Sequence, residues 1–473
     1  MRLFSRSVHP SLLVSTLLLS ACLSEDAPTG PSSCSANCVA VLQGDITASR
    51  TLKSDTVYTI RGYVKVQNGA TLTVEPGTRV VGDTQPQFAG SALFILRGAR
   101  LMAEGTATNP IVFTSGRPVG SRKPGDWGGI VIVGNGIVNR TNVNTEGPAE
   151  VSVPYSGGTN DSDNSGSLRY VRIEFAGYAV VADAELNSLS LYAVGRGTTL
   201  EYIQSLAGLD DSFEWWGGAV DGRYLVSYEA GDDHFDWTEG YKGRNQFLIA
   251  FQSTFIQPRT GAGFVSVDPQ GFEGDGCNGG GCTSGFASTP YSMPVFANFT
   301  LIGTGPGVLA GGQTGGGSAM VIRRGTGGLF VNGVVARWPT RGLSMRDAFT
   351  DTLFQRDSLS VRNVLFAENG AHYDPTGSNF GQQAKFTAAG HVESPAATSA
   401  VSLFTMLASS AAVDWTPSAT SAARSGGSGA FTGNRASRTA GFFGGAMVGT
   451  TYVGAADPTG AKWWQGWTSY AQN

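Results

Sequence analysis

Two acidic hexads, Asp210-Asp211-Ser212-Phe213-Glu214-Trp215 and Asp232-Asp233-His234-Phe235-Asp236-Trp237, stand 22 residues apart. Successive side chains of a strand point to opposite faces. Phe213, Trp215, Phe235 and Trp237 then share one face, read as core, and Asp210, Ser212, Glu214, Asp232, His234 and Asp236 share the other. On adjacent strands the four carboxylates would lie about 4.8 Å apart across the strands and about 6.6 Å apart along them. Like charges placed opposite one another destabilise a sheet, so something must offset them. A hard cation, Ca²⁺ by ligand type, would be held by Asp210, Glu214, Asp232 and Asp236. Alternatively, one of the same four carboxyls stays protonated beside an ionised partner and serves as a general acid in glycan cleavage, with Arg223 or Arg244 stabilising charge. In a purely structural arrangement Asp211 and Asp233 cap tight turns, and Arg223, Lys242 or Arg244 neutralise the rest. A bend inside either Asp-Asp pair would shift the face assignment.

Other side chains near the hexads have ligand chemistry. Trp215, Trp216, Trp237 and Tyr241 would form a sugar-stacking platform if exposed. Trp215 and Trp237 fall on the core face, so Trp216, His234 and Tyr241 are the candidate ligand contacts. For His372 and His391 the sequence identifies no partner. The chain has no G-x-S-x-G, no H-E-x-x-H, no Walker loop and no strand–G-x-G-x-x-G–helix context.

Positioning these groups requires strands in register, and the sequence repeats accordingly. Gly218 falls on Gly240 and Leu225 on Phe247 at the same spacing as the hexads, and Leu168-Arg169-Tyr170-Val171 begins a similar unit. Asn298, Asn332 and Asn363 each follow Phe296, Phe330 or Val361 by two residues. A unit recurring every 22 to 34 residues is one coil of a solenoid, whose equivalent side chains stack in ladders. Buried Asn at a repeated bend can bond the backbone and its stacked neighbours. Crossover chirality favours a right-handed coil.

Composition agrees with many short strands. Charged residues are 14 % of the chain, against roughly 25 % in ordinary soluble domains. Gly numbers 67 of 473 residues, as sharp corners with positive φ require. Lys and Arg total 32 against 36 Asp and Glu, a balance that argues against a nucleic-acid partner.

The N-terminus reads as an address. Arg2 and Arg6 precede an apolar run, Leu12 to Leu19, too short to span a bilayer. Leu19-Ser20-Ala21-Cys22 resembles the lipobox of bacterial lipoproteins, which implies a signal peptide over 1–21, acylation of Cys22 and anchoring to a membrane by buried acyl chains. The remaining cysteines fall into two local pairs, Cys34/Cys38 and Cys277/Cys282, which an oxidising compartment would close as short-loop disulfides. The predicted organisation is a leader over 1–21, a tether over 22–40 and the solenoid over 41–380. An irregular or helical insertion follows over 381–435, then an aromatic C-terminal cap over 436–473. The Gly-rich stretch within 256–290 reads as an excursion from the coil.

The strings VEPGT, GARLMAEGT, NPIVFTS, GDWGGIVI, DDSFEWWGG and DDHFDWTEG, with a tail match at Trp463-Trp464-Gln465-Gly466-Trp467, resemble a family of bacterial exported lipoproteins. The resemblance implies a right-handed parallel β-helix of the pectate-lyase-like type and a place at the outer membrane. The functional expectation is a surface lipoprotein binding an extracellular ligand, a glycan or a partner membrane protein, with Ca²⁺ at the hexads. The rivals are a Ca²⁺-dependent polysaccharide lyase or glycosidase and a structural envelope spacer. The paired Asp motifs do not reproduce the His-Gly and Arg-x-Lys signatures of β-helix lyases and hydrolases.

Overall fold

The computed structural model describes residues 38–179, 185–309, 316–388, 399–407 and 413–471. The leader, Cys22, Cys34 and His391 lie outside the described residues. Cys38 is disulfide-bonded, and Cys277 is bonded to Cys282 as expected.

A single 22-stranded sheet winds through the chain, and its strands pair in parallel from coil to coil. The fold is a right-handed parallel β-helix. In its tightest coils, Thr199–Gly208 and Phe213–Trp216 are followed by Asp221–Ala230 and Phe235–Thr238. Thr199 pairs with Asp221 and Phe213 with Phe235, so the hexad spacing is one turn of the solenoid. Longer coils carry loops on the same framework, including 134–165 and 252–269.

The core follows from alternation. Leu200, Ile203, Leu225 and Leu248 are fully buried, as are Phe213, Trp215, Phe235 and Trp237. Phe213 and Phe235 stack with ring centroids 5.3 Å apart. Each such side chain contributes about 1.5–3 kcal/mol through burial, and stacking extends that contribution from coil to coil.

From Gly166–Glu174 to Leu359–Ala367, each long strand turns a corner near its middle at a residue in the left-handed region, and these residues form a column. It runs Tyr170 (φ 49°), Tyr202 (53°), Tyr224 (60°), Phe247 (64°), Asn298 (53°), Asn332 (58°) and Asn363 (54°). Asn tolerates this conformation, whereas it costs other L-residues about 1–2 kcal/mol. The tyrosines offset that cost by stacking, at 4.4 Å for both Tyr170–Tyr202 and Tyr202–Tyr224. The asparagine series therefore continues an aromatic one.

The column explains the course of the C-terminal segment. Asn298 Nδ2 donates to Thr450 Oγ1 at 2.7 Å, Asn332 Oδ1 accepts from Ser428 N at 2.7 Å, and Asn363 Nδ2 donates to Gly426 O at 2.8 Å. At the aromatic end Trp467 packs edge-on against Tyr170 and Tyr202. The bend asparagines thus bond the C-terminal segment. That segment runs along the flank of the solenoid over Val226, Ile249, Ile302 and Val334, rather than covering the last coil alone.

The end of the solenoid is closed by other residues. Helix Ala348–Gln355, capped by Asp347, and helix Gln383–Ala388 meet through Phe354 and Phe386 at 4.9 Å. In the region predicted as an insertion, helix Ala400–Leu403 leads into Phe404–Met406, which pairs antiparallel with Asp414–Pro417. The Gly-rich excursion is interrupted by a solenoid strand, Gln270–Asp275.

Replacing Asn332 by Ala removes its bonds to Ser428 and Thr450 and leaves a β-carbon residue at φ 58° without compensation. The expected loss is about 2–3 kcal/mol in denaturant unfolding. Limited proteolysis should also accelerate within 426–452; an unchanged digestion pattern would show that the flank segment does not depend on the column.

Candidate functional site

Four side chains at the bend before the hexad strands stitch the coils together. Asp211 N donates to Asn187 Oδ1 at 3.1 Å, and Asp233 N to Asp211 Oδ1 at 2.8 Å. Gln270 N donates to Asp233 Oδ1, and Ser318 N to Gln270 Oε1 at 3.0 Å. Each side chain thus accepts the backbone N–H of the next coil. These are structural bonds, but they tie Asp211 and Asp233 to the next coil rather than capping their own tight turns.

Three residues on, a column of carboxylates projects away from the core. Glu214 pairs with Asp236, and Asp236 with Glu273. Asn187 Nδ2 donates to Glu214 Oε2 at 2.6 Å, and Arg323 is ion-paired with Glu273 and Asp275. Asp236 Oδ1 is buried and has no hydrogen-bond partner among the described residues. Carboxylate oxygens of Asp211, Glu214 and Asp236 lie within 4.8 Å of one another, as do those of Asp233, Asp236 and Glu273, and those of Asp210, Asp211 and Asp232. Asp236 belongs to two of these triads.

Crowding of this kind holds protons. Burial, then the charge of Asp275, raises Asp236 to about 7. Burial, then Asp236, raises Glu273 to about 8. Glu214 is pushed well above the carboxylate range by burial and by Glu146 and Asp211, and Asp210 and Asp232 are raised by burial and by further carboxylates.

The structure brings Asp210, Glu214, Asp232 and Asp236 into one acidic region, with a different arrangement from simple alternation. The strands begin at Phe213 and Phe235, so Asp210 and Asp232 lie in the preceding bend, and Asp211 and Asp233 link the two tiers. The expected neutralising cations are engaged elsewhere: Arg223 with Glu201, Lys242 with Asp161 and Arg244 with Asp221. Arg223 and Arg244 are therefore not placed to stabilise charge here. Arg323 is the cation that enters the cluster.

The stacking platform does not form, because its rings are inside the fold. Trp216 is 4 % exposed and stacks on Tyr192 at 3.9 Å. Tyr241 is fully buried, stacks on Trp215 at 5.3 Å and donates its hydroxyl to Val220 O at 2.9 Å. His234 is buried; its Nδ1 lies 2.5 Å from Ser227 Oγ, and burial lowers its pKa to about 3, so it is neutral. It borders a cavity of about 30 Å³ with Asp232 and Trp338, enough for one water.

Sequence reasoning missed Glu273 and Arg323. The signal for Glu273 was present: Phe272-Glu273-Gly274 repeats Phe213-Glu214-Trp215 and Phe235-Asp236-Trp237. Gly274 stands where a tryptophan would, because a β-carbon there would come 2.1 Å from the Trp237 ring.

A parallel β-helix with an acidic column on its outer face is the class that fold and site define. The family model for the pectate-lyase-like beta helix domain matches residues 44–417, and the chain belongs to that family. No curated protein and no solved structure matches it. Membership fits an extracellular, carbohydrate-related role. Among the described residues no helix is long and apolar enough to cross a membrane.

The raised carboxyls set a sign for pH dependence. Between about pH 4, where unfolded carboxyls ionise, and about 7 to 8, where Asp236 and Glu273 do so, the folded state binds more protons than the unfolded chain. Stability of the metal-free protein should therefore fall as pH rises across this window. Thermal unfolding in a chelating buffer checks this; a midpoint that climbs from pH 5 to pH 8 would contradict it.

Proposed function

We propose that this protein is an exported, lipid-anchored β-helix of the cell envelope, attached through Cys22. Its column Glu214–Asp236–Glu273 binds a divalent hard cation and presents it to an extracellular glycan. The observation that carries the reading is Asp236 Oδ1, a buried carboxylate oxygen between two other carboxylates that has no hydrogen-bond partner among the described residues. Oxygen-only donors favour Ca²⁺. The donor set fits: Asp211, Glu214 and Asp236 would hold one ion, and Asp233, Asp236 and Glu273 offer an adjoining arrangement. When bound, the cation would neutralise the column and polarise a sugar hydroxyl or carboxylate. The chain's own part is to keep the oxygens in register and, through Asn187 and Arg323, to orient Glu214 and Glu273.

A second reading, Ca²⁺-dependent cleavage of a polysaccharide, draws on the same groups. Asp236 at about 7 and Glu273 at about 8 are poised for proton transfer near neutral pH. A polysaccharide panel assayed with Ca²⁺ separates the readings: turnover lost in Asp236→Asn establishes catalysis, and binding without turnover supports the adhesive role.

For the cation itself, Ca²⁺ at a hundredfold excess over its Kd should stabilise the protein at pH 8 by about 2.7 kcal/mol. Asp236→Asn should unfold at the same or a higher temperature without metal, since one repelling charge is gone, and should lose the Ca²⁺ response. An equal Ca²⁺ shift in both proteins would remove the cluster as the binding site.

A further inference from the structure

A cavity of about 450 Å³, open to solvent on one side, lies between strand Asp414–Pro417 and the end of the C-terminal segment. Its volume is in the range of sites that hold small ligands. Tyr470, on its wall, packs against Tyr228 at 5.0 Å, so the cavity sits over strand Asp221–Ala230. The acids of the column belong to other strands. Residues 464–471 also lie beyond the stretch that the family model matches.

The wall narrows the ligand by exclusion. Asp414 is the one charged residue that lines it. Its Oδ1 accepts from Thr416 N at 3.0 Å, and its Oδ2 meets Lys462 Nζ at 2.6 Å. With that charge balanced, neither a metal ion nor an anion finds a counter-charge. An alkyl chain is also unsuited, because Gln465, Thr468 and Ser469 interrupt the apolar surface. A neutral ring that carries hydroxyls meets both demands.

Some polar groups of the wall are spent within the fold, and others are not. Thr468 Oγ1 lies 2.6 Å from Trp464 O and 2.8 Å from the Tyr470 hydroxyl. The Gln465 amide and the Ser469 hydroxyl, by contrast, bond nothing among the described residues. Both residues are held through the backbone instead. Gln465 N donates to Lys462 O at 3.0 Å, and the Gln204 side chain bonds both Ser469 N at 2.8 Å and Ser469 O at 2.6 Å. Trp464 is 1 % exposed, and its Nε1 has no hydrogen-bond partner among the described residues. A buried donor left unbonded is costly, and departures of this kind concentrate where a ligand binds. An amide and a hydroxyl can each donate and accept, as a sugar hydroxyl does.

We propose that this cavity binds a neutral sugar residue of a glycan, with Gln465 and Ser469 bonding its hydroxyls beside the rings of Trp464 and Tyr470. The site needs no metal, so it stands apart from the cation reading of the acidic column.

The test is calorimetry on the full chain in EDTA at pH 7.5, with cellotetraose, mannotetraose and maltotetraose set against tetragalacturonate. At least one neutral tetrasaccharide should bind one to one, at least about tenfold more tightly than the charged one. Gln465→Ala and Ser469→Ala should each weaken that binding about fivefold. Both should unfold at the wild-type midpoint, since neither side chain bonds the fold. Trp464→Phe removes the buried donor but keeps a ring, and should weaken binding likewise. Equal binding by wild type and all three variants would overturn the site. So would no binding by any of the three neutral sugars, or equal binding by tetragalacturonate. Sugar binding seen only after Ca²⁺ replaces the chelator would assign the glycan to the acidic column, overturning this site while sparing the cation reading.

Discussion

In-register parallel stacking is the constraint on which everything else rests. Adjacent coils sit about 4.8 Å apart, so whatever chemistry one coil places at a position is repeated directly above it. For apolar side chains the repetition stabilises: Phe213 lies against Phe235, and Trp215 is paired with Trp237. For carboxylates it does the reverse, and the column Glu214–Asp236–Glu273 is the consequence. The same geometry builds the core and charges the site.

The two tiers of acids show how the fold separates structure from chemistry. Asp211 and Asp233 each commit one oxygen, Oδ1, to the backbone N–H of the next coil, and replacing either would open the stitching. Glu214, Asp236 and Glu273 face away from the core, and Asp236 retains an oxygen that no part of the described chain satisfies. Burial of such groups costs stability unless protons or cations neutralise them. Arg323 supplies part of that neutralisation from the next coil, where it pairs with Asp275, bracing Glu273 and Asp275 at one end of the column.

Much of this was legible in the sequence, and the exceptions have physical reasons. The spacing of the hexads gave the coil, because two consecutive coils carry no insertion between Phe213 and Phe235. The apolar alternation identified Trp215 and Trp237 as core residues. The third acidic strand was hidden because a long loop between Trp237 and Phe272 breaks the period, and because glycine replaces tryptophan beneath the Trp237 ring. The bend inside each Asp-Asp pair moved Asp210 and Asp232 off the strand face. Trp216 and Tyr241 disappear from the surface through contacts with Tyr192 and Trp215. Ion-pair partners were the least readable feature, since Arg223, Lys242 and Arg244 all found acids that sequence proximity did not single out.

The flank segment changes the cooperativity of the coils it crosses. A bare solenoid is nearly one-dimensional: each coil is held by its two neighbours, and the ends can fray independently of the middle. Here a single stretch of chain is bonded to Arg172, midway along the array, and to Asn363 in its last long strand, with Asn298 and Asn332 between. Opening any one of these coils strains a tie that also holds the rest, so partial melting is penalised and the coils lose their structure together.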